Sequence, residues 1–389
     1  MTKNTKLLMR LLITSLLVTI GLFVYLSVHH FALKLGLSGN SLCEINSQFN
    51  CDAAATSNFA EFLNVPIAIL GGVFHLVLLS FIIFYNLGWA ESTSYLRISI
   101  RGMLAVSVAV SIIAGAVSLF TLKVLCPFCV ATYVFSVINL ILGWNLVQNY
   151  SNDFKFINYF KEHKSLLMAL ISIPVLSWFI SGMIQSNYGL DQIKKQVPEK
   201  IAIWKASSEY NFDKNLGLSN AVVNPRMTLI EFADFKCPHC KIASNTIKVF
   251  LKGRPDIQFI FKPYPLDGNC NDAISQKGDN SRCLLAAMTL CAEKIAKKGW
   301  EMHHWIFEKQ EKLIPISDIK TQLTHIQNDL GLDSIQMLEC ADSAEIYDVI
   351  KKTASEGTAA RVEGTPTIYL NGKKLPWGHY LEVLKQASE

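Results

Sequence analysis

Charged residues are scarce in the first half of this 389-residue sequence. Residues 1–186 contain ten Lys/Arg and six Asp/Glu, whereas residues 187–389 contain the other twenty-six and twenty-five. A half so poor in charge is not typical of a soluble domain. The second half has almost no basic excess, which makes nucleic acid a poor candidate partner. The length fits one membrane half and one soluble half.

Long apolar runs occupy the charge-poor half. Five of them are long enough to cross a bilayer core, which takes about 20 helical residues: approximately residues 11–28, 65–85, 102–122, 125–147 and 166–184. Basic residues precede the first run, as in a signal peptide. The run is longer than a signal peptide needs and no A-x-A site follows it, so we expect a retained helix.

The basic residues near these runs predict an orientation. Eight of the ten fall on one side of the membrane: Lys3, Lys6, Arg10, Arg97, Arg101, Lys155, Lys161 and Lys164. Only Lys34 and Lys123 fall on the other side. The positive-inside rule then places the N-terminus in the cytoplasm, and five crossings place everything after residue 184 outside. All ten cysteines face that oxidising compartment or lie near its surface.

The soluble half contains a Cys-x-x-C motif in a distinctive setting. The buried strand expected at residues 227–234 runs into Cys237-Pro-His-Cys240, and residues 242–251 follow with helical periodicity. A sulfur at a helix N-terminus is favoured as thiolate by the unpaired N–H groups and the helix dipole. This pattern indicates a disulfide exchanger. A zinc site is the alternative, but the nearest other C-x-x-C lies more than a hundred residues away, so we expect no metal.

The rest of this half predicts an α/β domain. A second strand is expected at 257–263, mostly helical structure at about 272–330, a helix at 344–360, and a last strand that begins after Pro366 and ends at an Asn-Gly turn. With Cys237-Pro-His-Cys240 and Thr365-Pro366, the domain resembles the thioredoxin-fold oxidants and isomerases of the DsbA/DsbG type. We therefore predict a connector at 187–226 and a thioredoxin-like domain with a helical insertion at 227–389.

That resemblance assigns roles to several residues. It implies that Thr365-Pro366 is a cis step lying against the C-x-x-C, where the substrate chain is received. It also gives a reason for His239, because a charged histidine between the two cysteines helps to hold Cys237 as thiolate. A stable thiolate favours the reduced form, so the disulfide form becomes a strong oxidant.

Four more cysteines lie in this half: Cys270, Cys283, Cys291 and Cys340. In an oxidising compartment they indicate structural bridges. The sequence allows three pairings. We prefer Cys270 with Cys283, which closes a loop rich in Gly, Asn and Asp, and this leaves Cys291 with Cys340.

The membrane half carries its own C-x-x-C, Cys126-Pro-Phe-Cys129, at the outer end of the fourth run. Cys43 and Cys51 in the first outer segment are its natural exchange partners. Together with Ser57, Val65-Pro66 and Gly71-Gly72, this set resembles the vitamin K epoxide reductase family, in its bacterial form fused to a thioredoxin-like domain. The resemblance implies a bundle of four transmembrane helices around a quinone, ubiquinone or menaquinone, and a fifth helix leading to the outer domain. The membrane domain is then 1–186.

Carried over residue by residue, the resemblance implies a relay. A reduced secreted or periplasmic protein attacks the Cys237–Cys240 disulfide, and Cys237 then attacks at Cys43. Cys51 passes the electrons to Cys126, and Cys129 delivers them to the membrane quinone pool. Ser57, His75 and Lys123 are candidate quinone contacts, although a structural hydrogen bond is the simpler role for His75, and a topogenic or snorkelling role suits Lys123 equally well.

The leading hypothesis is thus a multi-pass protein of the bacterial inner membrane with an outer thioredoxin-like domain that makes disulfides. One alternative is an isomerase or reductase running the path backwards, although no cysteine pair lies on the cytoplasmic side to feed it. Another is a membrane-anchored chaperone or redox sensor without enzymatic activity.

Overall fold

The chain folds into two compact units, Met1–Leu33 with Asn40–Gln192, and Lys34–Gly39 with Ile193–Glu389. The computed structural model describes residues 3–37, 49–57, 59–88, 93–146, 164–252, 254–313, 325–326 and 328–389. The boundary near residue 192 lies six residues beyond the expected end of the membrane domain.

The first unit is built from five apolar helices, each long enough to cross a membrane, which confirms that prediction. They are α1 (Lys3–Lys34), α3 (Ile67–Leu87), α4 (Thr93–Ala116) with a π-helical continuation (Val117–Leu122), α5 (Pro127–Leu146) and α6 (Lys164–Asn187). Most extend beyond the apolar runs because flanking polar residues continue the helical hydrogen bonding. The third span begins nine residues earlier than expected, at Thr93.

A short structured segment lies between α1 and α3. Helix α2 (Cys51–Thr56) begins at Asn50, whose side-chain oxygen accepts from the backbone N–H groups of Asp52 and Ala53. Strands β1 (Glu61–Phe62) and β2 (Val65–Pro66) then form a hairpin. The second apolar run was expected to be helical from residue 65, but the helix begins at Ile67, because Val65 and Pro66 are in the hairpin.

Two glycines set the distance between membrane helices. A Cβ on Gly71 of α3 would lie 2.4 Å from Cε1 of Phe23 on α1, and a Cβ on Gly143 of α5 would lie 2.4 Å from Cδ1 of Leu104 on α4. Small residues allow membrane helices to approach closely and gain van der Waals contact. The two glycines therefore leave room for the side chains of Phe23 and Leu104, which would have to shift to admit a methyl group.

The second unit is a thioredoxin-like α/β domain with a mixed five-stranded sheet. Its strands are β3 (Leu218–Ser219), β4 (Met227–Ala233), β5 (Ile257–Pro263), β6 (Thr367–Leu370) and β7 (Lys373–Lys374), in the order β3-β5-β4-β6-β7. Only β4 and β5 are parallel. Helix α8 (Pro238–Lys252) connects them, and α13 (Leu381–Ala387) ends the chain. The buried central strand β4 thus ends beside the C-x-x-C.

Between β5 and β6 the chain makes the expected helical insertion. Its described helices are α9 (Ser281–Ala296), α10 (Gly299–Glu308), a 3₁₀ turn (Gln310–Leu313), α11 (Ser334–Ala341) and α12 (Ala344–Ala359). Helical structure was expected from about residue 272, but α9 begins only at Ser281, because the Gly- and Asp-rich stretch before it forms turns.

The segment 187–226, expected as a connector, has regular structure of its own. It contains α7 (Leu190–Ala206), with Pro198 inside the helix, and the strand β3. Val197 and Ile201 are buried in the core of the second unit, and Trp204 Nε1 donates to the backbone oxygen of Leu370 at 3.2 Å. Burial of this apolar face stabilises the helix despite its proline, so the segment is part of the folded domain.

Two disulfides hold the insertion, and their pairing is the one that the sequence favoured. Cys270 bonds to Cys283 and Cys291 bonds to Cys340. Cys283 and Cys291 both lie on α9 and are fully buried. The second bond joins α9 to α11.

Removing the Cys291–Cys340 bond should destabilise the second unit more than removing the Cys270–Cys283 bond. The two bonds close loops of 49 and 13 residues. A longer loop loses more entropy in the unfolded chain, so the expected losses are about 4 and about 3 kcal/mol. Paired Cys→Ala variants of the full chain in detergent, unfolded by urea and followed by tryptophan fluorescence, measure both. Equal losses, or none, would contradict the loop-entropy explanation.

Candidate redox sites

The C-x-x-C of the second unit lies at the start of α8, directly after the central strand. Cys237 precedes the helix and is half-buried, while Cys240 in the first turn has no exposed surface. Both are free thiols. Cys237 Sγ lies 3.3 Å from the backbone oxygen of Thr365, and the Thr365-Pro366 peptide bond is cis. The two expected elements, motif and Thr-Pro step, are therefore in contact.

The surroundings of the two sulfurs make them chemically unequal. A hydrogen bond from the Cys240 thiol, with further bonds from the N–H groups of Cys240 and His239, lowers the pKa of Cys237 to about 5. Burial raises the pKa of Cys240 well above its usual value. Cys237 is thus the thiolate and the attacking sulfur at neutral pH. The His239 side chain is exposed, and a contribution from its charge stays a prediction.

A buried acid that the sequence analysis missed lies under this motif. Glu231 on β4 is fully buried, and neither carboxyl oxygen has a hydrogen-bond partner among the described residues. Burial, with the nearby Cys237 charge, raises the pKa of Glu231 to about 8. The charge of Glu231 in turn helps to raise the pKa of Cys240. The signal in the sequence was a glutamate inside an otherwise apolar strand six residues before Cys237.

Gln310 fixes the backbone of the active-site turn. Its Nε2 donates to the carbonyl oxygens of Phe235 at 2.7 Å and Cys237 at 2.9 Å. The helical insertion thereby holds the segment that carries the attacking sulfur. No local pattern could have predicted this contact, because Gln310 lies 73 residues from Cys237 in the chain.

The membrane unit brings two of the predicted redox cysteines together. Cys51 at the start of α2 is in a disulfide, and its Sγ lies 3.1 Å from the Sγ of the free thiol Cys126. Both residues are almost fully buried. The backbone N–H of Asn50 donates to the carbonyl oxygen of Leu125 at 2.9 Å, which ties the two segments directly before the sulfurs. The fourth member of the predicted set, Cys43, lies outside the described residues.

This geometry suits thiol–disulfide exchange. Exchange requires a thiol sulfur next to one sulfur of a disulfide, and the reaction passes through a mixed disulfide. Cys126 has that position toward Cys51, while Cys129, also a free thiol, lies in the first turn of α5. The Cys129 N–H donates to Cys126 Sγ at 3.2 Å. Electrons can therefore pass between Cys51 and the Cys126/Cys129 pair.

The structure gives the three candidate quinone contacts, Ser57, His75 and Lys123, interactions or positions that involve only the protein. The Ser57 hydroxyl donates to the Ala54 carbonyl at 2.8 Å. His75 Nδ1 lies 2.8 Å from the Gly71 oxygen and its Nε2 lies 3.2 Å from Ser107 Oγ. Lys123 is exposed and ends the π-helical turn in a left-handed conformation. Their roles toward a quinone stay predictions.

Tyr133 is a polar group near the membrane thiols that the sequence analysis passed over. It lies one helical turn after Cys129, close enough to both Cys126 and Cys129 for electrostatic interaction. Its ring also packs near Gly115 of α4. A tyrosine four residues after a helix-initial cysteine lies on the same face of that helix, and this spacing was the available signal.

Two adjacent histidines at the end of α1 hold the segment that carries Cys51. His29 Nε2 lies 2.9 Å from Oδ1 of Asp52, and both side chains are buried. His30 Nδ1 lies 2.9 Å from the Ala55 oxygen, and its Nε2 lies 3.1 Å from Oε1 of Glu61. Sequence reasoning had not connected these histidines to the cysteines, because their partners lie more than twenty residues away. They are bound to α2 and the hairpin.

Alkylation of the reduced chain should show the inequality of the outer thiols. Cys237 should react with iodoacetamide with a midpoint near pH 5, while Cys240 stays unreactive at neutral pH. Cys240→Ala should move the midpoint upward, because the strongest hydrogen bond to the Cys237 thiolate is lost. Mass spectrometry of quenched samples across pH 3–10 measures this. An unchanged midpoint in Cys240→Ala would contradict the assigned cause.

Glu231→Gln should stabilise the protein at alkaline pH. The folded protein keeps the Glu231 proton up to about pH 8, whereas the unfolded chain releases it near pH 4.5. The unfolding free energy of the native chain therefore falls as pH rises through this window, by about 1.4 kcal/mol per pH unit. Glutamine removes this slope. Urea unfolding of both proteins from pH 5 to pH 9 tests it, and parallel stability curves would exclude the buried titration.

Comparison with known protein families finds a match for each half of the chain. A family model described as "Vitamin K epoxide reductase family" matches residues 10–144, and one described as "DSBA-like thioredoxin domain" matches residues 228–387. Both resemblances expected from the motifs are thereby confirmed.

Individual relatives match only part of the chain. "Disulfide bond formation protein D" of Bacillus subtilis is 28% identical over 163 residues, which cover 38% of this chain and 64% of the relative. "Na(+)/H(+) antiporter NhaA 3" of Salinispora tropica is 26% identical over 163 residues, 41% of this chain and 22% of the antiporter. This chain thus matches less than two thirds of the length of either relative.

Among solved structures, oxidised BdbD from Bacillus subtilis is 19% identical, with a TM-score of 0.38, and the match covers 47% of this chain and 96% of that one. Pseudomonas aeruginosa DsbA2 is 22% identical, with a TM-score of 0.34, and the match covers 42% and 88%. From the two family matches, the chain joins a vitamin K epoxide reductase family domain at its N-terminus to a DsbA-like thioredoxin domain at its C-terminus.

Proposed function

We propose that this protein is a thiol–disulfide oxidoreductase of the membrane that forms disulfide bonds in extracytoplasmic proteins and passes the electrons to a quinone. The observation that carries the proposal is the contact between Cys51 Sγ, which is in a disulfide, and the free Cys126 Sγ at 3.1 Å. A membrane anchor has no need for such a contact. In a redox relay, this contact is where electrons pass from one cysteine pair to the next.

The outer domain has the properties of an oxidant. Because the pKa of Cys237 is about 5, the reduced domain is stabilised at neutral pH, and the disulfide form accepts electrons readily. A reduced substrate protein attacks the Cys237–Cys240 disulfide and leaves with a new disulfide of its own. The name of the Bacillus subtilis relative, a disulfide bond formation protein, supports the same direction.

The reduced outer domain must then be reoxidised. We assign this to the loop pair Cys43 and Cys51, with Cys237 attacking at Cys43. Cys240 then attacks Cys237 and releases Cys43, which restores the Cys237–Cys240 disulfide. Cys51 attacks Cys126, Cys129 leaves as a thiol, and Cys43 attacks Cys51 and releases Cys126. Each step exchanges one disulfide for another, so two electrons move inward from the substrate protein to the membrane pair.

Residues beside the membrane pair fit a quinone as the final acceptor. A bound quinone would supply an acceptor for two electrons and two protons, and Cys126 and Cys129 would be the thiols that give them up and become a disulfide. The Tyr133 hydroxyl is a hydrogen-bond donor near both thiols and is suited to hold a quinone carbonyl. The rings of Phe128 and Tyr25, 4.5 Å apart, supply apolar surface close to the same sulfurs. Ser57, His75 and Lys123 stay secondary candidates.

The charge distribution supports a location in a bacterial inner membrane. With eight basic residues on one side and two on the other, the N-terminus lies in the cytoplasm and the DsbA-like domain lies outside. The two disulfides of that domain fit an oxidising compartment. Its substrates are then secreted or periplasmic proteins with reduced cysteines.

Thiol trapping in membranes tests the relay. The fully reduced chain should reoxidise Cys237 and Cys240 when ubiquinone or menaquinone is added, and Cys129→Ala should abolish this. Tyr133→Phe should slow it about tenfold or more, because one donor to the developing charge is lost. Ser80→Ala, on an exposed face of α3, is the matched control and should behave like the native chain.

Three outcomes would contradict the proposal. If Cys237 and Cys240 reoxidise at the same rate with and without added quinone, quinone is not the electron acceptor. Reoxidation that survives Cys129→Ala would remove the membrane pair from the path. Reduction of the Cys237–Cys240 disulfide by an added quinol, without the forward reaction, would favour the reductase alternative.

A further inference from the structure

The cysteine that joins the two redox pairs is next to a buried carboxylate–imidazole pair. Asp52 follows Cys51 in the chain and is 1% exposed, and His29 is 7% exposed. His29 Nε2 and Asp52 Oδ1 are 2.9 Å apart. The contact offsets the cost of burying both groups and ties α1 to α2. It also places an ionisable pair next to a cysteine of the relay.

The pair lies within the exchange site. Asp52 lies close enough to Cys126 for electrostatic interaction, and the Tyr25 hydroxyl lies close enough to both of them. The Tyr25 ring stacks parallel to the His29 ring, with centroids 6.0 Å apart, and also contacts Phe128. The titratable groups described around Asp52 are thus Tyr25 and His29 of α1 and Cys126, with Cys129 next to Cys126. His30 of α1 and Glu61 of the hairpin form the neighbouring pair.

Exchange at this site requires a buried thiol to lose its proton. The attacking species in thiol–disulfide exchange is the thiolate, and a thiol buried in apolar surroundings releases its proton reluctantly. Cys51 and Cys126 are 1% and 2% exposed, so solvent has little access to either sulfur. A nearby group that accepts the Cys51 proton would remove this barrier.

We propose that the His29–Asp52 pair takes up the proton of the Cys51 thiol when Cys51 attacks the Cys126–Cys129 disulfide. Neutral His29 donates its Nε2 proton to Asp52, which leaves Nδ1 as the proton acceptor. The Asp52 carboxylate then stabilises the imidazolium that forms, as in other carboxylate–histidine pairs.

The step balances in atoms and electrons. The Cys51–Cys126 bond forms, the Cys126–Cys129 bond breaks, and Cys129 leaves as a thiolate that takes up a proton. Cys43 then gives up its own proton to solvent, which replaces the proton that Cys129 took from solvent, and attacks Cys51. Cys126 leaves and receives the proton that the pair had accepted. The loop pair ends oxidised and the membrane pair reduced, with no further co-reactant.

The neighbouring histidine is not equivalent and supplies the control. Both ring nitrogens of His30 have partners, the Ala55 carbonyl oxygen and the Glu61 carboxylate. His30 therefore fastens the segment between α2 and β1, whereas His29 contacts the residue beside Cys51. Both pairs are His–carboxylate contacts, so Glu61→Gln removes the same kind of charge as Asp52→Asn, from a residue that is not adjacent to Cys51 in the chain.

A pH-jump experiment on the full chain in detergent isolates this step. Cys43→Ser with Cys237→Ala and Cys240→Ala leaves only Cys51, Cys126 and Cys129 as exchanging cysteines. The Cys126–Cys129 disulfide is formed first, the protein is moved from pH 4 to a chosen pH, and acid quenching followed by peptide mass spectrometry gives the rate of Cys51–Cys126 bond formation. Asp52→Asn, His29→Gln and Glu61→Gln are compared in this background.

Asp52→Asn should slow the reaction about a hundredfold at pH 7, the range typical of a lost general base. Near pH 9.5 it should recover to within about threefold of the parent, because the thiol then ionises without help. His29→Gln should behave likewise, and Glu61→Gln should follow the parent at every pH. Recovery at high pH also shows that the variant is folded.

A rate lowered equally at all pH values would make the pair purely structural and overturn the proposal, as would no change. The inference rests on the proposed exchange between Cys51 and Cys126, but no quinone or substrate protein enters this assay. If the parent forms no Cys51–Cys126 bond at any pH, the relay itself fails. If it does form the bond while the quinone test fails, the pair keeps its role and only the acceptor is wrong.

Discussion

The contact between the sulfurs of Cys51 and Cys126 is the constraint on which the membrane half depends. A contact of 3.1 Å between a disulfide sulfur and a thiol requires two separate segments to be fixed relative to each other. The Asn50–Leu125 hydrogen bond, the capped start of α2 and the two histidines of α1 all act on those segments. These polar contacts therefore all help to fix the distance between the sulfurs of Cys51 and Cys126.

The thioredoxin-like domain separates the roles of its two sulfurs by unequal burial. Cys240 is fully buried and Cys237 is half-buried, so the negative charge stays on the more accessible sulfur. Glu231, which has no hydrogen-bond partner among the described residues, raises the pKa of Cys240 further when it is charged. Burial and this carboxyl group thus both favour the thiol form of Cys240.

The sequence predicted local features well and contacts poorly. The five spans, the strand before Cys237 and the Cys270–Cys283 bond depend on residues close in the sequence, and the structure has all of them. The Cys291–Cys340 bond spans 49 residues and was expected only by elimination. Helix α7 was missed because Pro198 and several charged residues interrupt its apolar pattern. Its apolar face can be recognised only from its packing against the core of the second unit. Gln310 and the His29–Asp52 pair were missed because each acts on residues more than twenty positions away, and a single sequence contains no record of such distances.

The glycines of the membrane helices have a consequence for mutational tolerance. Gly71 and Gly143 carry no chemistry, yet a single methyl group on either would meet a neighbouring side chain at 2.4 Å. The Phe23 side chain at Gly71, or the Leu104 side chain at Gly143, would have to shift to admit it. An inherited alanine at either position would therefore disturb the packing of the membrane helices, although it removes no sulfur and touches no substrate.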